Sequence, residues 1–261
     1  MDIMQGADTA GALNEAAWDG LAARLDDAFP RLDPVGRLKL LARHVPGPLV
    51  LTTSFGLEDQ ALTHLVATAG IDVSIVTLDT GRMFPETYTV WAATEARYGI
   101  RIKGFYPRAT EIEALVERQG IDGFYASQDA RKACCHVRKV APLRRALAGA
   151  QAWLTGLRAD QSQHRQVLAF VSFDAGQAML KASPILDWSR ERVADLVKDA
   201  DIPVNPLHDK GFLSIGCAPC TRAVAPGEHE RAGRWWWEQD GQQECGLHLS
   251  ADGRLVRGRS G

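Results

Sequence analysis

An α/β fold, a parallel sheet with helices on both faces, is what this chain of 261 residues predicts, and three features lead there. Short β-rich runs alternate with segments of helical spacing from residue 48 to about 200, the order that builds parallel sheets. With 46% hydrophobic and 24% charged residues, the chain can fill one ample core or two modest ones. Several strands also end in small, acidic or basic residues, as they do where an open α/β sheet holds its ligand.

Residues 14–29 and 33–45 carry apolar side chains at helical spacing, Leu21, Leu25 and Phe29, then Leu38, Leu41 and Val45, and Pro34 suits a first helical turn. They make an N-terminal helical part, 1–46. PLVLTTS at 48–54 predicts the first strand, 57–69 a helix and IDVSIVTLD at 71–79 the second strand. A helix from Pro85 to Tyr98, a strand beginning with IRIKGFYP at 100, a charged helix at 110–119, a helix over about 134–148 and a strand at 152–156 follow. VLAFVSF and LKASPILDW predict further strands, and SRERVADLVKDAD a helix capped by Ser189. From Pro203 the regularity fades, and the closing stretch, with three tryptophans at 235–237 and a polar tail, reads as a lid or mobile arm. The division is thus N-terminal helices (1–46), one α/β domain (47–215) and a C-terminal segment (216–261), with no repeat or low-complexity block.

Thirty basic against 32 acidic side chains leave a formal charge of -2, which gives no general reason to expect a nucleic acid or a membrane as partner, so any anion site must be local. The start, MDIMQGADTAGALNEAAWDG, lacks a secretory pattern, and no run approaches the roughly 18–20 apolar residues of a membrane span. The expected location is the cytoplasm. The five cysteines fit such a reducing compartment: Cys134 and Cys135 adjacent, Cys217 and Cys220 as a CxxC, and Cys245 alone. Two pairs suit zinc or an iron–sulfur cluster, which cysteine count does not separate, while a buried apolar pair is the plain alternative for Cys134 and Cys135. A fifth thiol doing redox chemistry would need an outside thiol to resolve it.

Neither GxxxxGK[ST] nor GxGxxG occurs. After the first strand, Thr53, Ser54, Phe55, Gly56, Leu57, Glu58 and Asp59 form a turn that either offers N–H groups to an anion or simply caps a helix through Ser54. In LDTGRMFPETY, Asp79 and Thr80 could hold sugar hydroxyls or make a capping turn beside a solvent-facing Arg82. In TGLRADQSQHR, Gly156 allows close approach, and Arg158 and Arg165 offer bidentate donors for phosphate or sulfate. Near Cys245, His248 and the upstream Arg231 and Arg234 favour a thiolate, whereas Glu244 opposes it.

Together SFGLEDQAL, LDTGRMFPETY, KACCHVRKV, WLTGLRADQS, GCAPCTR and ECGLH, over about residues 48–248, resemble the assimilatory adenylyl-sulfate reductases, the iron–sulfur branch of the phosphoadenylyl-sulfate reductase family. The resemblance implies an adenine nucleotide α-hydrolase-like, nucleotide-binding domain and a 4Fe–4S cluster on Cys134, Cys135, Cys217 and Cys220. It implies Cys245 as nucleophile, with Lys139, Arg231, Arg234 and His248 around the sulfate and Leu78, Thr80, Gly156 and Arg165 along the nucleotide; Ser54, Asp79 and Arg158 join the substrate-binding set from their strand ends. The implied reaction converts adenylyl sulfate to sulfite and AMP through a cysteine thiosulfonate, in sulfate assimilation toward cysteine. Thioredoxin or a similar dithiol protein would be the reductant, and homo-oligomer formation is left open. Three rivals remain: the same reaction on the 3′-phosphorylated substrate, an RNA-thiolating enzyme, for which the turn at Ser54 lacks SGGxDS, and a non-enzymatic redox sensor.

Overall fold

In a computed structural model, residues 14–161, 165 and 168–238 are described. Six strands form one sheet: β1 (Leu49–Thr53), β2 (Ser74–Leu78), β3 (Lys103–Phe105), β4 (Ala152–Leu154), β5 (Val171–Asp174) and β6 (Met179–Ala182). Their spatial order is β3-β2-β1-β4-β6-β5, and every neighbouring pair is parallel except β5 with β6. That antiparallel edge departs from the all-parallel expectation. Parallel neighbours need a crossover of a dozen or more residues, and only a tight turn, with Ala178 at φ +53°, separates these two strands.

Alternation along the strands puts apolar side chains on both faces. Leu49 and Leu51 of β1, Ala152 and Leu154 of β4, and Leu180 and Ala182 of β6 join one core with α1 (Glu15–Ala28), α2 (Pro34–His44), α3 (Leu57–Ala69) and α8 (Arg190–Asp199). Val50, Trp153 and Met179, one residue out of phase, pack on the other face with Leu143 and Ala146 of α7 (Ala141–Ala146). The remaining helices are α4 (Pro85–Tyr98), α5 (Ala109–Gln119) and α6 (Gln128–Cys135).

The first two helices begin where their caps dictate. Asn14 accepts from Ala17 N, and Asp33 accepts from Gly36 N ahead of Pro34. Arg37, 2% exposed, ties α2 to the segment after β6 through Asp187 at 2.6 and 2.7 Å and the carbonyl of Pro184 at 2.8 Å, and to the end of α1 through the carbonyl of Phe29 at 2.8 Å. α6 starts at Gln128, capped by Ser127, earlier than the helix expected at 134; residues 128–133, four polar side chains and two alanines, show no apolar stripe that would announce it. It runs through a π-helical turn, His136–Val140, into α7, and this wider turn carries Arg138 and Lys139. Among the described residues no helix is long and apolar enough to cross a membrane.

Candidate active site

From β1 the chain winds toward β2 and β3, whereas β4 leads to the other half of the sheet. Loops leaving neighbouring strands at such a switch diverge and leave a crevice. Here the loops after β1 and β4 open a cavity of about 210 Å³. Its lining includes Ser54 after β1, Leu78 and Thr80 at the end of β2, Gly156 after β4, Arg165, Lys139 of the π turn, and Cys217, Arg231 and Arg234 from the C-terminal part. Eight residues named from sequence for substrate or sulfate contact therefore share one wall: Ser54, Leu78, Thr80, Gly156, Arg165, Lys139, Arg231 and Arg234. Cys245 and His248, and the tail expected to act as an arm, lie outside the described residues.

Two further sequence candidates stand behind this lining. The Asp79 carboxylate accepts from Gly81 N at 2.8 Å and from the Tyr88 hydroxyl at 3.0 Å, so it shapes the turn that presents Thr80. Arg158 is fully buried, with its guanidinium held by Glu58 at 2.9 Å, Glu230 at 3.1 Å and Asp160. Burial works against its charge, but those carboxylates outweigh burial and hold the guanidinium firmly protonated. Arg158 thus joins the loop after β4 to the start of α3 and to the segment that carries Arg231, instead of reaching the cavity. Arg165, 4% exposed, donates to the Gln161 side-chain oxygen, which also accepts from Arg158 N.

The turn at Ser54 also differs from a simple cap. Gly56 is the N-cap of α3, while Ser54 donates its N–H and its hydroxyl to Asp59 at 2.6 and 2.7 Å. A Cβ on Gly156 would come within 2.6 Å of the same carboxylate, so glycine is required for the loop after β4 to lie against α3. Burial raises the Asp59 pKa to about 6 from 3.8, the two Ser54 hydrogen bonds opposing it, with Glu58 raising it further and Arg165 lowering it. A carboxyl held above its unfolded pKa binds more protons folded than unfolded, so its contribution falls as the pH rises from about 4 to about 6. Subtracting the urea midpoints of Asp59→Asn from those of wild type over this range should give a difference that declines with pH; a flat difference rejects the assignment.

A second, smaller pocket adjoins the first. It is lined by Cys134, Cys135, Cys217 and Cys220 together with Arg82, Arg131, Arg138, Lys139, Phe124 and Pro219. The four sulfurs thus gather from α6 and from the CxxC loop, and Cys217 and Lys139 line both pockets. Burial pushes the Cys220 thiol up to about 12, with Cys217 adding to the rise, and burial also raises Cys134. At Cys217 burial is outweighed by Lys139, by the Thr80 hydroxyl at 3.3 Å and by Arg234 and Arg138, so its pKa falls. Trp235 and Trp237 pack against the thiol cluster with Nε1–H groups that are buried without a hydrogen-bond partner. Four soft donors, a cationic lining free of carboxylates and idle N–H groups suit an anionic, sulfur-rich group.

Residues 48–223 match the phosphoadenosine phosphosulfate reductase domain family. The chain belongs to this family. Adenosine 5′-phosphosulfate reductase of Agrobacterium fabrum is 49% identical over 228 residues, 87% of each chain, and that of Allochromatium vinosum is 48% identical over 77% of this chain and 78% of its own. The chloroplastic 5′-adenylylsulfate reductase 3 of Arabidopsis thaliana is 40% identical over 88% of this chain and 51% of its own. The crystal structure of phosphoadenylyl-sulfate reductase from Candida auris, in a phosphate complex, superposes with a TM-score of 0.68 over 83% of this chain and 100% of that one, at 24% identity. The shared fold is the adenine nucleotide α-hydrolase-like one.

Several site residues carried little or no separate signal in the sequence. Arg82, far from facing solvent, pairs with Asp122 at 3.0 Å, stands over Phe124 and lines the thiol pocket. Arg138 donates to Thr80 O at 2.7 Å, tying the π turn to the end of β2. Its position one residue before Lys139 was the available clue. Glu58 and Glu230 were invisible as partners, since nothing local couples either to Arg158.

Proposed function

We propose that this chain reduces adenylyl sulfate to sulfite and AMP, taking electrons from thioredoxin or a similar dithiol protein in a reducing compartment. The observation that carries the reading is the shared wall: Lys139 and Cys217 line both the crevice at the switch point and the four-thiol pocket. The relatives at 40–49% identity are named for the unphosphorylated sulfonucleotide, which favours it over the 3′-phosphorylated rival.

The nucleotide would lie along Leu78, Thr80, Gly156 and Arg165, beside the turn at Ser54 and the start of α3, with Asp79 and Arg158 shaping those loops from behind. Lys139, Arg231 and Arg234, with His248, would surround the sulfate and stabilise the charge that gathers on its oxygens. The Cys245 thiolate attacks sulfur, the sulfur–oxygen bond breaks, and AMP leaves with the electron pair. Cys245 then carries –SO3⁻. A thiolate of the dithiol protein attacks the Cys245 sulfur, sulfite leaves with the S–S electron pair, and the second thiol closes the partner's disulfide as Cys245 is freed. No second cysteine of this chain is needed, which agrees with four thiols being engaged elsewhere.

Cys134, Cys135, Cys217 and Cys220 would hold a 4Fe–4S cluster. Among the described residues no group of three or more His, Cys, Asp or Glu side chains stands arranged to hold a metal ion, and it is the pocket shared by the four thiols that carries this assignment. When bound, the cluster supplies fixed charge and a mechanical tie, since the two-electron thiol chemistry above needs no one-electron carrier. Lys139, lining both pockets, is the residue through which that charge would be felt.

The test is anaerobic purification, assay of iron and acid-labile sulfide, and incubation with labelled adenylyl sulfate without reductant. Expected are about four irons per chain and label held by wild type but absent from Cys245→Ser. Stoichiometric zinc, or label on the mutant, overturns the reading.

A further inference from the structure

Arg131 has no part in the chemistry above, yet its side chain is 1% exposed and interacts with both Glu238 and Cys135. It lies three and four residues before Cys134 and Cys135, on the face of α6 that they share. Its Nε and Nη2 donate to the two oxygens of Glu238 at 2.6 and 2.9 Å, and Glu238 is itself only 6% exposed. The guanidinium carbon sits 4.5 Å from the centre of the Trp235 ring. Arg234, which lines the cavity, places its own guanidinium carbon 4.7 Å from that same ring.

Trp235 is also held in an unusual backbone conformation. Its φ is +46°, a left-handed value that a bulky side chain keeps only when its surroundings enforce it. Trp235 N donates to Cys220 O at 3.3 Å, and Thr221 forms a β-bridge with Arg234, so the CxxC loop grips this segment from one side. The Arg131–Glu238 pair grips it from the other, from the helix that carries the first cysteine pair.

We infer that Arg131 and Glu238 are positioning residues that lock Trp235 in its left-handed turn and, through it, aim Arg234 at the sulfonate end of the cavity. Both halves of the thiol quartet then hold the segment that carries the sulfate-facing cations, so the thiol pocket and that cation are assembled together. The functional half of the inference rests on the reading under Proposed function; the structural half does not.

The test uses the full-length, cluster-containing protein and two conservative variants. Glu238→Gln keeps the shape and loses the charge, while Arg131→Lys keeps the charge and loses the planar fork. Each is compared with wild type in iron content, in amide hydrogen exchange of the 231–238 peptide, and, in a Cys245→Ser background, in affinity for AMP and for adenylyl sulfate. Expected are unchanged iron, exchange faster by about tenfold in 231–238, AMP affinity within about twofold of wild type, and adenylyl sulfate affinity lower by about tenfold. Wild-type exchange in both variants overturns the lock. Faster exchange with an unaltered ratio of the two affinities overturns the link to Arg234. Iron loss with unchanged 231–238 exchange would assign Arg131 to the cluster alone and also reject the inference. Should the wild type bind adenylyl sulfate no better than AMP, the functional reading fails, and the exchange measurement still decides the lock.

Discussion

Arg158→Ala is expected to remove about 3–5 kcal/mol of folding stability, the cost of stripping the partner from buried carboxylates. Glu58 and Glu230 are 14% and 16% exposed, and each faces the same guanidinium. With alanine in its place, each keeps its desolvation cost and loses its principal counter-charge, although Arg190 remains 3.3 Å from Glu230. Arg158→Lys should restore less than half of the loss, because one ammonium cannot reproduce a fork that meets three carboxylates at once. Arg158→Met combined with Glu58→Gln and Glu230→Gln should recover most of it, since the burial penalty disappears together with the charges. Anaerobic urea titration of the three proteins checks this, and an alanine variant within about 1 kcal/mol of wild type would show the network to be dispensable.

Arg158 also marks where reading the sequence runs out. An arginine two residues after a strand-end glycine looks like an anion donor, and Arg165 in the same run does line the cavity. What separates them is distant: Glu230 lies 72 residues from Arg158, and Glu58 lies 100. The same limit hid the pairing of Arg131 with Glu238, which are 107 residues apart. By contrast, β1, β2 and β4 were legible because they are short runs rich in apolar and β-branched residues that are largely buried on both faces. Ser54, Thr80 and Gly156 were legible because parallel topology forces strand ends to one edge, so three separate turns point to one crevice. Cys134, Cys135, Cys217 and Cys220 were legible as a set through their chemistry and spacing. Asp59 was not, because an acid in a first helical turn is ordinary, and it is chiefly burial in the fold, with Glu58 adding to it, that raises its pKa.

In the proposed reaction, Gly216→Ala should lower the single-turnover rate of sulfonate transfer to Cys245 by about 10²- to 10³-fold, the usual effect of losing one donor to a developing oxyanion. The Cβ would overlap the Arg234 guanidinium, meeting Nη1 at 2.9 Å and the guanidinium carbon and Nη2 more closely still. On an open surface the far end of an arginine would swing aside. Arg234 is only 6% exposed, stacks on Trp235 and is fixed by the bridge to Thr221, so its guanidinium must leave its place along the cavity wall. The backbone at position 216 has an ordinary φ, and its N–H donates to Thr221 Oγ1 at 3.1 Å, so alanine is tolerated by the main chain. Stability should therefore fall only by the roughly 1–3 kcal/mol of an overpacked site, while the rate falls much further. The decisive comparison is a double-mutant cycle. If the glycine acts by leaving room for Arg234, then Arg234→Ala and Gly216→Ala combined should be no slower than Arg234→Ala alone, because the methyl group then has nothing to displace. Full additivity of the two losses would mean that Gly216 acts through the neighbouring Cys217 and not through the arginine.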